Sequence, residues 1–329
     1  MSELRWNPIL REWTVTATHR QARTFLPPDD YCPLDPTKPG GFPTEVPAAD
    51  YDFVVFENRF PSFRPDPAAP AIEGDALEPV APSKGVCEVV LYTSQHGGTL
   101  AEASIPRLRR LIEVWTERYR TLAALDYIDY VYIFENKGKD IGVTLTHPHG
   151  QIYAFSFIPP FVNRWLQSAK DYYAETGRSV FMDMLQKELH DEKRIIAQNA
   201  RFVAFIPFFA RFPYEVHIYP KAFRPSLTDL DNAEKWDMAE ILKVVMSKYD
   251  NLWQISMPYI MLMHQQPTDG KAWPGVQFHF EFLPPLRAKD RLKYLAGCES
   301  GAGTFINDTL PEEKAAELRA VAPQLWRLA

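Results

Sequence analysis

The strongest constraint on the fold of this 329-residue chain is an internal repeat. FVVFENRFP (53–61) resembles FVAFIPFFARFP (202–213), and CEVVLYTSQH (87–96) resembles YEVHIYPKAF (214–223). Past a helical pattern in each case, YVYIFENKG (130–138) matches YIMLMHQQP (259–267), and HPHGQIYAFSFIPP (147–160) matches VQFHFEFLPP (276–285). The order strand, strand, helix, strand, loop, strand therefore occurs twice. This predicts an α+β fold of two similar halves, 1–162 and 163–329, each an antiparallel sheet with a crossing helix.

Helical periodicity fills the gaps between the repeated strands. In the first half Leu108, Leu111, Ile112, Trp115, Tyr119 and Leu122 recur at helical spacing, and in the second Trp236, Ala239, Leu242, Val245, Met246 and Tyr249 do so. Thr228, Asp229 or Asp231 is placed to cap the second of these helices. Residues 163–175 and 180–189 read as helices broken at Gly177, with Ser179 as a cap, and a last helix is expected over 312–328. With 46% apolar and 13% aromatic residues, the chain can fill a core of that size.

Composition narrows the function. The net charge of −6 comes without any basic run, which argues against a nucleic-acid or membrane surface as partner. There is no leader-like opening and no apolar run near the ~18 residues of a membrane span, so a cytoplasmic protein is expected. Cys32, Cys87 and Cys298 are odd in number and widely spaced, and imply no disulfide framework.

Chemistry concentrates where the two halves differ, because HPHGQ occurs only in the first. Pro148 disfavours a helix, and strand alternation puts His147, His149 and Gln151 on one face. An imidazole is a nucleophile and a metal ligand near neutral pH, whereas a primary amide can only hold a group by hydrogen bonds. The trio suits a histidine nucleophile beside a phosphorus or acyl centre. A strand with two ordinary buried histidines is the alternative, against which the glycines and the ENKG turn upstream weigh. Upstream, His19, Arg20 and Arg23 form a basic cluster that reads equally as a diphosphate site or a solvated turn. Cys32 and Asp35 stand at ligand spacing in a proline turn, a pattern that taken alone reads more readily as a plain turn than as a ligand pair.

FENKG, eight further residues and then HPHGQ with its strand and Phe-x-Pro resemble the active-site segment of galactose-1-phosphate uridylyltransferases. That family is the transferase branch of the histidine-triad superfamily, and the likeness runs from NPILREW to HFEFLPP and beyond. The resemblance implies two histidine-triad-like halves and ping-pong transfer of UMP from UDP-glucose to a hexose 1-phosphate. His149 would be the nucleophile and Gln151 the donor to the phosphoryl oxygens; histidine-triad hydrolases that resemble this strand carry a histidine where Gln151 stands. By the same carry-over Arg23, Asn58, Glu135 and Asn136 line the nucleotide site, with Gly142, Val143 and Thr144 facing the phosphates. Lys293 and Glu299 match residues that contact the hexose or its phosphate, often across the interface of a homodimer.

Metal sites are implied in the same way. Cys32, Asp35, His96 and His147 form a zinc set in which Asp35 replaces a cysteine. His264, His279 and Glu281 resemble a second metal site, for iron or zinc, where Trp165 stands near the position of a further ligand; a buried His and Glu bonded to each other is the alternative. Two rival functions stay open: a phosphorylase of the same superfamily acting on ADP-glucose or a dinucleoside polyphosphate, and a nucleotide-binding protein without catalysis. Val143 and the GAGTFIND segment keep the first alive.

Overall fold

The computed structural model describes residues 2–21 and 31–325. Strands β1 (Ser2–Asn7), β2 (Glu12–Ala17), β3 (Val54–Glu57), β4 (Val80–Pro82) and β5 (Gly85–Leu91) lead into helix α1 (Ile105–Ala123), then β6 (Tyr130–Lys137) and β7 (His149–Phe155). Helices α2 (Pro160–Thr176) and α3 (Val180–Asp191) and strand β8 (Ile195–Gln198) connect to β9 (Phe202–Phe205), β10 (Val216–Pro220), α4 (Asn232–Trp253), β11 (Tyr259–His264) and β12 (His279–Leu283). A short pair, β13 (Leu286–Ala288) and β14 (Arg291–Leu292), precedes α5 (Gly297–Ala302) and α6 (Pro311–Ala320).

The repeat becomes one continuous sheet. Nine strands run in the order β3-β5-β7-β6-β11-β12-β10-β9-β8, so the first half ends on β6 and the second begins, reversed, on β11. Those two strands pair antiparallel, with Tyr259 opposite Lys137 and Met263 opposite Ile133. Lys137 also forms a buried ion pair with Asp250 of α4 at 2.9 Å, tying the seam to a helix. A smaller sheet, β2-β1-β4, stands apart.

Both predicted helices form, for the expected local reasons. The Ser104 side chain accepts from the Arg107 backbone N–H at the start of α1, and Asp231 and Glu234 close a reciprocal box at the start of α4. Of the three candidates for that cap, Asp231 is the one used. The two helices and one face of the sheet enclose the main core, with Leu111, Ile112, Trp115, Leu242, Met246, Ile133, Ile152 and Phe280 all buried. Helices α2 and α3 contribute to cores that include Tyr130, Val203, Phe205 and Tyr219.

Three boundaries differ from expectation. The ENKG segment is not a turn, because β6 continues through Lys137 and the chain turns only at Gly138, whose φ is 96°. Helix α2 starts at Pro160, where a proline in the first turn forfeits no hydrogen bond. The final helix stops at Ala320, and Pro323 disfavours helical geometry in Ala322 just beyond it.

Candidate active site

Alternation along β6 and β7 decides which side chains meet. Ile152 and Ala154 enter the core under α1 and α4, so His149 and Gln151 point the other way. There they line a cleft of about 500 Å³ together with Asn58, Asn136, Gly142, Val143 and Thr144. His147 was expected on this face as well, but it lies before the strand, since Pro148 has no N–H for the ladder and pairing begins at His149. Its ring is buried and turned toward the loop around Cys32.

Glu135 also departs from expectation. It alternates with Asn136 on β6, so Asn136 lines the cleft while Glu135 is buried on the helix-facing side beside Lys137 and Tyr259. Burial pushes its carboxyl up to about 7, against a smaller opposing effect of Lys137. Arg23 lies outside the described residues. Of its neighbours, Arg20 donates to the Ser62 hydroxyl and His19 pairs with the Pro61 carbonyl at 3.1 Å, so both pin a loop.

The polar groups in the cleft are oriented by their own hydrogen bonds. His149 Nδ1 lies 2.7 Å from the His147 carbonyl oxygen. A carbonyl can only accept, so Nδ1 carries the proton and the neutral ring keeps its lone pair on Nε2. Burial lowers the His149 pKa, which keeps that ring neutral. The Phe60 N–H donates to Asn58 Oδ1 at 2.9 Å, and Asn58 Nδ2 in turn donates to Gln151 Oε1 at 3.2 Å. This chain leaves the Gln151 amide nitrogen as the group free to donate. Sequence reading missed Tyr31, Phe56, Arg59 and Phe60 in the lining; a sign of the last two lay in their place beside Asn58.

Known proteins supply the context for this geometry. Residues 1–159 match the N-terminal domain, and residues 165–327 the C-terminal domain, of galactose-1-phosphate uridyl transferase. A galactose-1-phosphate uridylyltransferase of Thermotoga maritima is 40% identical over 97% of this chain and 98% of its own length. The chain belongs to the galactose-1-phosphate uridylyltransferase family. A solved uridylyltransferase superposes with a TM-score of 0.86 at 34% identity, covering 97% of both chains. An ADP-glucose phosphorylase of Arabidopsis thaliana with bound ADP-glucose shares the fold, with a TM-score of 0.72 at 23% identity over 98% of this chain and 99% of its own.

In this family member, potential ligand atoms of Cys32, Asp35, His96 and His147 converge within 4.8 Å of one another. Asp35 Oδ1 lies 2.9 Å from His96 Nδ1 and 3.0 Å from His147 Nδ1. His147 Nε2 faces the Thr93 carbonyl at 2.7 Å and the Tyr51 hydroxyl at 2.8 Å, which directs Nδ1 into the cluster. Burial, followed by the Asp35 charge, raises the Cys32 thiol, so a bound cation would have to displace its proton. One thiolate, one carboxylate and two imidazoles suit a tetrahedral zinc ion.

A second cluster lies on the same sheet face in the other half. His264, His279 and Glu281 bring ligand atoms within 4.8 Å, and Glu215 and His217 form an overlapping group with Glu281. Among the described residues, both ring nitrogens of buried His264 lack a hydrogen-bond partner. The His264 and His279 nitrogens stand 3.6 and 3.8 Å from Glu281, too far for the simple bonded pair that sequence allowed. Trp165 caps the group edge-on, 5.8 Å from His264, and the Arg211 guanidinium donates to Glu281 at 2.8 Å.

Lys293 and Glu299 do not line the cleft. Their side chains pair at 3.5 Å, and Lys293 also donates to the Ile306 carbonyl, closing the segment after β14 on itself.

Proposed function

We propose that this enzyme moves UMP from UDP-glucose to galactose 1-phosphate through a covalent uridylyl-histidine on His149. The observation that carries the reading is the Nδ1 bond to the His147 carbonyl, which aims an unprotonated nitrogen into the cleft. His149 Nε2 forms a bond to the α-phosphorus as the bond to the glucose 1-phosphate oxygen breaks. The phosphate oxygen of galactose 1-phosphate then attacks the same phosphorus, and its electron pair displaces the imidazole. Splitting the displacement this way predicts ping-pong kinetics. Throughout, the Nδ1–H bond to the carbonyl steadies positive charge on the ring.

Gln151, oriented by Asn58, donates its amide to a non-bridging oxygen as charge grows there. Asn58 and Asn136 contact the uridine, and the backbone at Gly142, Val143 and Thr144 faces the phosphates; the family likeness assigns Arg23 to the nucleotide site as well. Glu135 acts from beneath the strand, not by contact with the ribose. Lys293 and Glu299 contact the hexose phosphate after their mutual pair opens, and a homodimer that brings this segment to a partner's cleft suits that role.

A zinc ion held by Cys32, Asp35, His96 and His147 would supply structural charge and anchor the segment next to His149. Iron or zinc at His264, His279 and Glu281 would satisfy the orphaned His264 ring, in competition with Arg211. The strand recurrence and the two matched family segments support domains at 1–162 and 163–329. Three free cysteines suit a reducing compartment, and we place the enzyme in the cytoplasm. Among the described residues no helix is long and apolar enough to cross a membrane.

Intact-protein mass after exposure to UDP-glucose without acceptor tests the reading. A uridylyl-sized gain on His149 is expected. A gain only with ADP-glucose would transfer the assignment to a phosphorylase, and no gain with either would leave nucleotide binding without catalysis.

A further inference from the structure

The face of β7 opposite His149 and Gln151 is held by an arrangement that the chemistry above does not use. Gly150 points there, toward α1 and α4. A Cβ at this position would fall 2.0 Å from the Tyr92 hydroxyl oxygen, 3.0 Å from its ring carbon Cζ and 3.2 Å from the Phe134 carbonyl oxygen. The φ of Gly150 is not positive, so backbone freedom does not call for glycine here. Space does, and the Tyr92 hydroxyl takes it.

Tyr92 brackets the segment from two sides. Its backbone N–H donates to the Pro148 carbonyl at 3.1 Å, just before the nucleophile, while its ring, 2% exposed, reaches under Gly150. Among the described residues the hydroxyl has no full hydrogen-bond partner, and neither does Oε2 of buried Glu135, the carboxyl that the phenol faces. Glu135 Oε1 in turn faces the Tyr259 hydroxyl at 3.4 Å, across the seam between the halves. Two orphaned polar groups beneath a catalytic strand call for an account, since each is costly in an apolar core. Burial and the neighbouring Glu135 both raise the Tyr92 phenol, so it stays a donor.

We propose that Tyr92 and Glu135 are positioning residues, a prop seated under Gly150 that sets the height at which β7 presents His149 and Gln151 to the α-phosphorus. The phenol donates toward the carboxyl, the carboxyl is steadied by Tyr259, and the missing side chain at 150 lets the strand rest on the hydroxyl. This inference rests on His149 as nucleophile. A displacement of about 1 Å at such a site costs roughly 100-fold in rate.

The test is the rate of uridylyl-adduct formation from UDP-glucose in a set of variants, with UMP affinity and Tm measured beside it. Gly150→Ala is expected to slow the adduct roughly 100-fold while UMP affinity changes little. Tyr92→Phe, which removes the oxygen but keeps the ring, should slow it by about tenfold or less. The double variant Gly150→Ala/Tyr92→Phe should be faster than Gly150→Ala alone, because the clashing atom is gone. Glu135→Gln should stay nearer the wild-type rate than Glu135→Ala. An adduct at wild-type rate in folded Gly150→Ala, or a double variant no faster than the single, overturns the prop. If Gly150→Ala does not fold, recovery of both folding and adduct formation in the double variant sustains the proposal, and failure to recover ends it. A wild-type protein that forms no adduct would remove the nucleophile assignment and this inference together, whereas an adduct insensitive to the whole set removes the inference alone.

Discussion

The two halves put the same sheet face to different uses. In the first, the loop from β6 to β7 turns at Gly138 and Gly142, both at positive φ, and stands away from the strands to leave the cleft above His149 and Gln151. In the second, the connection from β11 to β12 is drawn in. Gln265 and Gln277 are fully buried there, and they bond the backbone at Leu227, Pro220 and Ala222. Trp165 and Phe181 close over His279, and Arg211 neutralises carboxylates. A duplicated unit thus keeps one half open for substrate and packs the other. Having imidazoles on the corresponding strand is not enough for chemistry; an accessible lone pair is also needed.

The largest expected effect breaks this symmetry outright. His149→Ala should reduce transfer by about 10⁴-fold or more and abolish the mass gain, with UMP binding still measurable by calorimetry. His217→Ala, on the sheet face of the packed half, should leave the adduct intact. It removes a buried ring that faces Glu215 at 2.9 Å, and a loss of about 2–4 kcal/mol should appear as a lower Tm. Equal loss of transfer in both variants would contradict the division of labour.

Next in size is the amide pair. Gln151→Arg puts a cation into the phosphoryl cradle and removes an oriented donor, so transfer should fall roughly 100- to 1000-fold with a near-normal melting curve. Asn58→Ala should cost less, about tenfold, because Gln151 remains but loses the bond that fixes its amide. Transfer unchanged in Gln151→Arg would show that the cleft binds phosphate elsewhere.

How far the sequence led depended on how local the determinant was. The repeat and both long helices were legible because strand alternation and helical spacing are near-neighbour patterns. His149, Gln151, Asn58 and the loop at Gly142 all reach the one cleft for the same reason. Glu135 was misplaced because FENKG was taken as a turn; applying alternation to β6 puts it opposite Asn136. Tyr92 under Gly150 and Tyr51 on His147 were invisible, since those contacts join residues 58 and 96 positions apart only after the sheet has formed. Trp165 was anticipated near the second cluster, whereas Arg211 was not.

The metal clusters sharpen the comparison further. Elemental analysis should find about one zinc per chain that is lost in Cys32→Ser, with a lower Tm in the metal-free protein. The overlapping cluster of the second half already holds the Arg211 cation against Glu281 and Glu215, so its occupancy should be lower and easier to strip. Substituting Arg211→Met should raise metal uptake there; no change would show that the guanidinium is not what competes.

The smallest effect concerns pH and tests the ground between the halves. Glu135 sits beside the seam with its carboxyl raised to about 7 by burial, from an ordinary value of 4.5. Between those values the folded protein holds a proton that the unfolded chain has released, so stability falls as pH rises through this window. The loss is at most about 3 kcal/mol, reached near pH 7 and above. Glu135→Gln keeps the shape without the titration, so its denaturant midpoint should lose this part of the decline between pH 5 and 8. A wild-type slope as flat as that of the variant would mean that Lys137 and the two tyrosine hydroxyls, Tyr92 and Tyr259, already hold the carboxylate ionised. The prop under Gly150 would then be a charge-assisted bond from phenol to carboxylate, and Glu135→Gln would weaken the adduct rate more than its shape alone allows.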